Sequence, residues 1–299
     1  MATKKNTGEK YSKEQLLGFY RTMVRIREFE EHAAECFTKG MLAGNIHLSI
    51  GQEAAAAGAF AAGAPARAET NPSPDPDADA VLARMTKLSE RGASLPLKSR
   101  HLVMLATLSA IGLPEHVESA VKAALRDGLT PAEVKEAFYQ TTPYVGFARV
   151  SSVLRSANKA LSESGVKLPI PSEGTVTDET RFAEGFQVQS GIFGDAIRRM
   201  HESAPESQKA LLVRDLTGWC FGDYYTRKAL DLRERELITF SAIVALGGCE
   251  AQVRAHVNGN VAVGAVKQNL VDALEVGLPF LGFPRTLNAL AVVNDVLKD

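Results

Sequence analysis

The sequence predicts an all-α protein, and three observations support that class. Apolar residues recur at three- and four-residue steps over most of the 299 residues, as they do on amphipathic helices. No segment reads convincingly as a strand. The passage 143–149, PYVGFAR, returns 136 residues later as 279–285, PFLGFPR. Because internal repetition fixes architecture, we expect two similar helical halves.

The composition is that of an ordinary globular protein, with 45% hydrophobic and 23% charged residues. A net charge of -1 gives no general attraction to nucleic acid or anionic membranes. No uninterrupted apolar run approaches a bilayer span, and no signal-peptide core follows the N-terminus, so we expect no membrane partner. Cys36, Cys220 and Cys249 are too widely spaced for a disulfide framework, which predicts a reducing, cytoplasmic location.

The first sixty residues predict a helical fragment. Apolar positions over 12–40 follow an amphipathic helix, which Gly40 and Gly44 should end. Residues 51–62 are rich in alanine and are predicted to be helical. The stretch 61–80 contains four prolines among alanine, aspartate and glycine. That composition predicts a stiff, solvated linker between domains.

Two helical domains are predicted after the linker, at 81–163 and 178–299. Helices of the first are expected at 97–111, 115–127, 131–142 and 147–163, the third opened by a capping box at Thr130. A polar connector follows at 164–177. The second domain is predicted to begin with helices at 178–201 and 205–218 and a tight corner at 219–223. The second copy of the repeat then occupies about 231–298.

The repeated heptad is interpreted as a packing element. Gly146 and Gly282 are predicted to let helices approach closely. Phe147 and Phe283 are predicted to fill the core. These residues occur in both copies, so they are expected to serve the scaffold.

The two copies differ at three polar positions. Glu236, Cys249 and His256 stand where the first copy has His101, Leu113 and Ala120, respectively. A residue that one copy lacks is not needed to build the shared scaffold. These three residues are therefore candidates for a catalytic site, and the first copy is expected to carry a degenerate one.

The chemistry of the three residues is mutually consistent. Gly247 and Gly248 should end one helix and let the next begin at Cys249, where the helix dipole favours a thiolate. His256 lies two turns further along the same face, and Glu236 can approach it if the two helices pack antiparallel. A carboxylate that orients an imidazole suits general acid–base catalysis. The alternatives are a core histidine, a buried cysteine and a surface glutamate.

Arg227 and Arg235 flank the same region. Their guanidinium groups can clamp a substrate carboxylate bidentately, or they can form surface or intersubunit ion pairs. No cofactor or metal is expected.

Three segments, 221–227 (FGDYYTR), 232–239 (LRERELIT) and 278–285 (LPFLGFPR), resemble the carboxymuconolactone decarboxylase family. That family shares an all-helical fold with the AhpD-like alkylhydroperoxidases. The likeness covers about 80–299 as a tandem pair of family domains. It implies a small-molecule substrate and a homo-oligomer, commonly built from trimers, with sites near subunit interfaces.

The resemblance leaves three functions open. The decarboxylase branch implies decarboxylation or isomerisation of a small carboxylated lactone, with Arg227 and His256 stabilising an enolate. The peroxidase branch uses a Cys-x-x-Cys-x-x-x-His motif with an upstream glutamate, and Cys249 and His256 fit it. Gln252 replaces the second cysteine, so a one-cysteine peroxidase with an external thiol is the form that remains. The third hypothesis is a non-enzymatic oligomeric adaptor.

A second resemblance covers 11–60. The segments 20–30 (YRTMVRIREFE) and 44–54 (GNIHLSIGQEA) are similar to the start of the thiamine-diphosphate-dependent 2-oxo acid dehydrogenase alpha subunit. The match stops near Phe60, and that family's Gly-Asp-Gly…Asn cofactor motif does not follow. His47 therefore has no cofactor site to serve. We interpret 1–60 as a fused fragment for self-association or for docking to a protein partner.

Overall fold

The computed structural model describes residues 13–39 and 75–298. These two ranges are mostly helical and contain no strand, which confirms the predicted all-α class. The chain divides into two compact units, Met1–Pro76 and Asp77–Asp299.

In the first unit, helix α1 spans Lys13–Thr38. This confirms the amphipathic helix predicted over 12–40. Its large apolar side chains are exposed, with Tyr20 at 64% and Phe29 at 73%. The predicted glycine stop, His47 and the alanine-rich stretch 51–62 lie outside the described residues.

The division between the two units falls inside the predicted linker 61–80, and a helix begins at the C-terminal end of that stretch. Helix α2, Pro76–Met85, begins there with a proline. Proline lacks a backbone N–H, and this is tolerated in the first turn because N–H groups there have no helical acceptor. Asp77 and Asp79 lie in that turn, where the helix dipole stabilises negative charge. Residues 61–74 lie outside the described residues.

The second unit contains both copies of the repeat. The helices of the first copy are α3 (Leu97–Ile111), α4 (Pro114–Arg126), α5 (Pro131–Val145) and α6 (Phe147–Glu163). Between the copies lie α7 (Arg181–Phe193), α8 (Ala196–Ser203) and a π-helix (Ala210–Tyr225). The helices of the second copy are α9 (Leu232–Leu246), α10 (Glu250–Ala262) and α11 (Lys267–Val296). Short 3₁₀ turns occur at Leu88–Glu90 and Glu206–Gln208.

The π-helix replaces the corner predicted at 219–223. Gly222 is a contact residue rather than a turn residue, because a Cβ there would collide with the carbonyl of Arg181 on α7. Gly185 of α7 makes the reciprocal approach to the carbonyl of Thr217. The two helices therefore touch through their backbones, a contact that glycine allows and that local sequence does not reveal.

The two central helices, α3 and α9, pack side by side and are almost completely buried. In addition α3 packs against α11 of the other copy, and α9 packs against α5 of the other copy. These contacts are reciprocal, as in a pair of units related by an approximate two-fold axis. One large apolar core, which includes Leu102, Phe138 and Phe240, joins the copies.

The repeated heptad marks the same break in each copy. Gly146 separates α5 from α6 with φ 86° and ψ 148°, and Gly282 kinks α11 with φ 71° and ψ 168°. A Cβ at Gly146 would meet open space, so the predicted close helix approach is wrong; glycine is needed there for its positive φ. Phe147 and Phe283 are 71% and 64% exposed, so the prediction that they fill the core is also wrong.

The arginine of each heptad closes the end of a central helix. Arg149 donates to the Ala110 carbonyl at 2.8 Å, and Arg285 donates to the Ala245 carbonyl at 2.9 Å. Each bond satisfies a carbonyl that the end of α3 or α9 leaves without a helical partner. The arginines of the heptad therefore serve the scaffold, as predicted.

Lys98 connects the N-termini of α5 and α9. Its Nζ lies 2.5 Å from Glu133 and 2.7 Å from Glu234. Each glutamate is the N3 residue of a capping box, one opened by Thr130 as predicted and the other by Asp231. One cation therefore ties together two helix starts from different copies.

By length and composition, α11 is a described helix long and apolar enough to cross a membrane. Leu270, Leu274 and Val276 place it in the core, and Gly282 interrupts its geometry. A buried core helix passes the same test, so its length is weak evidence for a span. Polar residues divide the sequence of this helix, so it contains no uninterrupted apolar run.

Candidate functional site

A cavity of about 720 Å³ opens in the second unit between both copies of the repeat and the helices that join them. Its walls come from α5, α7, α8, the π-helix and α10. The lining is mainly apolar. The polar side chains among the lining residues are Tyr144, Gln189, Asp215, Cys220, Gln252 and His256.

His256 lines this cavity and is held by Glu236. Its Nδ1 lies 2.8 Å from the Glu236 Oε2, and both residues are buried. An ionised carboxylate only accepts hydrogen bonds, so Nδ1 carries the proton and Nε2 is the basic nitrogen of the neutral ring. The described residues give Nε2 no hydrogen-bond partner. The predicted approach of Glu236 to His256 is therefore confirmed in geometry.

The turn between α9 and α10 brings these two residues together. Gly247 and Gly248 have φ of 72° and 67°, which reverses the chain so that the helices pack side by side. Cys249 is the N-cap of α10, as the sequence indicates. Asn260 then ties the pair by donating to the carbonyls of Glu236 at 3.0 Å and His256 at 2.8 Å.

Gly259 provides the space for the Glu236 carboxylate. A Cβ at this position would collide with Oε2 of Glu236. Sequence reasoning did not single out Gly259. The signal was present, however, because the first copy has Ala123 at the equivalent position and an interior helix glycine is costly without a reason.

Tyrosine hydroxyls satisfy the other oxygen of Glu236. Tyr225 donates to Oε1 at 2.7 Å, and its own oxygen lies 3.0 Å from the Tyr144 hydroxyl and 2.9 Å from Thr239. Burial raises the pKa of both tyrosines well above the usual range, so they remain hydroxyl donors. The sequence analysis did not predict either tyrosine. Tyr144 corresponds to Phe280 in the second copy, so a difference in polarity between the copies was available as a signal.

The ring of His256 is also fixed by aromatic contacts. Tyr144 and Phe193 approach it edge-on, each with ring centroids 5.5 Å away. The imidazole therefore has one orientation, with its Nδ1 edge toward Glu236 and the opposite edge toward the cavity. A fixed acid–base group is what catalysis of proton transfer requires.

Arg227 and Arg235 lie outside the cavity lining. Both bind the buried Glu136, Arg227 through Nε at 2.7 Å and Arg235 at 3.2 Å. Burial lowers the pKa of the Arg235 guanidinium, and the charge of Glu136 opposes that shift. The structure thus places these arginines in a buried ion-pair cluster and does not bring them to His256 as a carboxylate clamp.

That cluster nevertheless connects to the site through hydrogen bonds. Arg235 donates to Gln140 at 3.0 Å, and Gln140 donates to Thr239 at 3.2 Å. Thr239 contacts Tyr225, the donor to Glu236. Hydrogen bonds in such a chain polarise one another, so the cluster supports the position of the carboxylate indirectly.

Cys249 is separate from the cavity. Its thiol donates to the Gly247 carbonyl at 3.5 Å and lines a pocket of about 20 Å³ at the α9–α10 turn. Gln252, where the peroxidase motif has its second cysteine, does line the large cavity. The structure therefore does not bring Cys249 to the cavity that His256 lines.

Cys220 is the cysteine that lines the cavity. Burial raises its pKa to about 12, although the Tyr144 hydroxyl at 3.5 Å opposes the shift. At neutral pH it is a thiol and a poor nucleophile. Among residues 13–39 and 75–298, no group of three or more His, Cys, Asp or Glu side chains is placed to hold a metal ion.

Two of the relatives found by comparison with known proteins are small, and they differ in whether an activity is described for them. The 4-carboxymuconolactone decarboxylase of Acinetobacter baylyi is 23% identical over 125 residues, which cover 42% of this chain and 92% of that enzyme. An uncharacterized 15.0 kDa protein from the nqo9–nqo10 intergenic region of Paracoccus denitrificans is 28% identical over 114 residues. Those residues cover 38% of this chain and 85% of that protein.

The N-terminal resemblance is confirmed by a third relative. The alpha subunit of the pyruvate dehydrogenase E1 component from Zymomonas mobilis is 52% identical over 44 residues. The match covers 15% of this chain and only 12% of that subunit. Its similarity is therefore limited to a short fragment.

The family comparison covers the repeated part of the chain. The model of the carboxymuconolactone decarboxylase family matches twice, at 76–159 and at 210–295. The first match holds α3 to α5 and most of α6, and the second holds the π-helix and α9 to nearly the end of α11. Since the two matches together span more than half of the sequence, the chain belongs to the carboxymuconolactone decarboxylase family.

Proposed function

We propose that the chain is an enzyme that decarboxylates or isomerises a small carboxylated lactone or a related metabolite. The observation that carries this proposal is His256, which lines a mainly apolar cavity while Glu236 holds its Nδ1 at 2.8 Å. Membership of the family and similarity to the Acinetobacter baylyi enzyme support this class of reaction.

In the proposed reaction, His256 is the acid. The bond between the lactone carbon and its carboxylate breaks, carbon dioxide leaves, and the electron pair enters the extended enolate of the lactone. The imidazolium then donates its Nε2 proton to carbon, and water restores that proton. Glu236 stabilises the imidazolium through Nδ1 before the transfer. For an isomerisation, the same nitrogen removes a proton from one carbon and returns it to another.

The apolar walls contribute to the same step. A carboxylate concentrates charge on two oxygens, whereas the enolate spreads it over a conjugated system. Side chains such as Phe193, Leu216 and Trp219 solvate concentrated charge poorly, which favours the dispersed state. No lysine or arginine is among the described residues that line this cavity, so His256 is its candidate cation.

The proposal is tested with 4-carboxymuconolactone, by following lactone loss and carbon dioxide release for wild type, His256→Gln and Cys249→Ser. We expect His256→Gln to lower kcat by about 10²–10⁴-fold, because the proton donor is lost. Cys249→Ser is the control and should stay within about twofold, because Cys249 lies outside the cavity. Intact lactone with wild type, or full activity in His256→Gln, would contradict the proposal.

A parallel assay with an organic hydroperoxide separates the peroxidase hypothesis. A one-cysteine peroxidase predicts turnover that Cys249→Ser abolishes. The acid–base proposal predicts no such turnover in either protein.

A further inference from the structure

The first copy contains its own cavity at the place that corresponds to the candidate active site. Its volume is about 630 Å³. Four lining residues of the candidate active site, Tyr144, Gln252, Ala255 and His256, have repeat equivalents that line this second cavity: Phe280, His116, Ser119 and Ala120. We call it the first-copy cavity. Both copies of the repeat therefore have a cavity at the equivalent place, as well as equivalent helices around it.

The first-copy cavity has an imidazole–carboxylate pair built from different positions. His101 occupies the position of Glu236, and its Nε2 lies 2.7 Å from Oδ2 of Asp127. His101 is 3% exposed, and Asp127 follows the last turn of α4. The first copy therefore has a different polar pair in place of the Glu236–His256 pair.

One guanidinium at this cavity is available to bind an anion. Arg126 and His116 line it, and the described residues give Arg126 no ion-pair partner. Asp127 is the lining carboxylate, and its Oδ2 contacts His101. A ligand carboxylate would thus meet a cation and an imidazole at the cavity without displacing an existing ion pair.

Apart from Thr86 and Ser119, the rest of the lining is apolar. Met104 and Leu108 of α3 are buried, and Phe280 reaches across from the other copy to contact the His116 ring edge-on at 5.5 Å. A ligand suited to this site carries one carboxylate and a compact apolar body.

We propose that the first-copy cavity is a second small-molecule site, which binds a carboxylate with an apolar body through Arg126 and His116. The proposal does not depend on the reaction proposed for the second copy. A chain in which His256 has no catalytic role would still have this site.

The experiment measures how many molecules of para-fluorobenzoate the full chain binds, by calorimetry and by fluorine NMR. Two variants fill the cavities at equivalent positions: Ser119→Trp for the first-copy cavity and Ala255→Trp for the candidate active site. We expect Ser119→Trp to abolish one class of binding that Ala255→Trp leaves intact. Arg126→Ala, at an exposed position, should weaken that class about tenfold.

The neutral isostere para-fluorobenzamide tests the assignment of charge. We expect it to bind the Ser119-sensitive site at least about tenfold more weakly than the benzoate. Absence of a Ser119-sensitive class would overturn the proposal, as would a class unaffected by Arg126→Ala. Equal affinity for the amide would overturn the assignment to carboxylates. Circular dichroism of each variant establishes that loss of binding is not loss of fold.

Discussion

At the scale of single residues, the candidate active site depends on one buried carboxylate. Glu236 is fully buried, and each of its oxygens has a polar partner, Tyr225 on one side and His256 on the other. A buried charge is tolerated only when it is paired and hydrogen-bonded. The residues that make room for Glu236 therefore matter as much as those that bond to it.

Gly259→Ala tests that space. The new methyl group would collide with Glu236 Oε2, so the carboxylate must move away from His256. We expect about 1–3 kcal/mol of lost stability and a lower kcat on the proposed substrate. Chemical denaturation and the lactone assay measure the two effects.

Gly191→Ala is the matched control for this substitution. Gly191 lies in α7, and a Cβ there meets nothing within 4 Å. Alanine should stabilise this helix by about 0.5–1 kcal/mol without affecting turnover. If the two alanine variants behaved alike, Gly259 would have no special role beside Glu236.

Polarity differences between the copies predicted part of the site. Glu236 and His256 were found by comparing the copies, and their approach followed from an antiparallel helix pair. Arg227 and Arg235 were misplaced because their partner, Glu136, is 91 and 99 residues away in sequence. Contacts over such separations depend on the tertiary arrangement, which a local pattern does not contain.

At the scale of helices, boundaries with a chemical signal were predicted well. The first and fourth helices of the first copy match α3 and α6, and the capping box at Thr130 begins α5. The corner at 219–223 was wrong because a glycine that permits helix contact has the same sequence signature as a glycine that permits a turn. Only the position of α7 distinguishes the two cases.

Lys98→Met tests the link between two helix starts. Lys98 joins Glu133 and Glu234, and its loss should cost about 0.5 kcal/mol, since solvent screens the half-buried cluster. Partial burial acts to raise the Glu133 pKa, but the bonds from Lys98 and Thr130 prevail and lower it below about 4.5. Denaturation at several pH values measures the difference from wild type.

The sign of the pH dependence follows from that lowered pKa. A carboxyl group with a lowered folded-state pKa stabilises the protein above its ordinary pKa, and the stabilisation is lost as pH falls through the lowered value. The deficit of Lys98→Met should therefore be full near neutral pH and disappear in acid. A deficit that stayed constant down to acid pH would exclude the ion pairs as its cause.

At the scale of the whole molecule, apolar side chains that are exposed in the single chain indicate surfaces for association with other chains. Phe147 and Phe283 are exposed at equivalent places in the two copies, and Leu287 is 53% exposed one turn beyond Phe283. Tyr20 and Phe29 of α1 are exposed in the first unit. Large apolar residues in such positions are typical of association surfaces. We propose that the chain forms a homo-oligomer built from trimers, with α1 available for self-association or a protein partner.

Light scattering after size exclusion tests the assembly. Wild type should have a mass that is a multiple of three chains. The double substitution Phe147→Asp and Phe283→Asp should reduce that mass, because charge at a buried apolar contact is costly. A wild-type monomer would contradict the proposal, and an unchanged assembly in the variant would place the interface elsewhere.

Tyr144 of the first copy lines the cavity of the second, and Phe280 of the second lines the cavity of the first. Each duplicate has thus become part of the other's wall. The polar groups of one cavity can differ from those of the other, as Glu236 and its equivalent His101 illustrate. Removing one copy would take away a wall residue of the cavity that remains. The two copies therefore differ in the polar groups of their cavities, while each copy still contributes a residue to the cavity of the other.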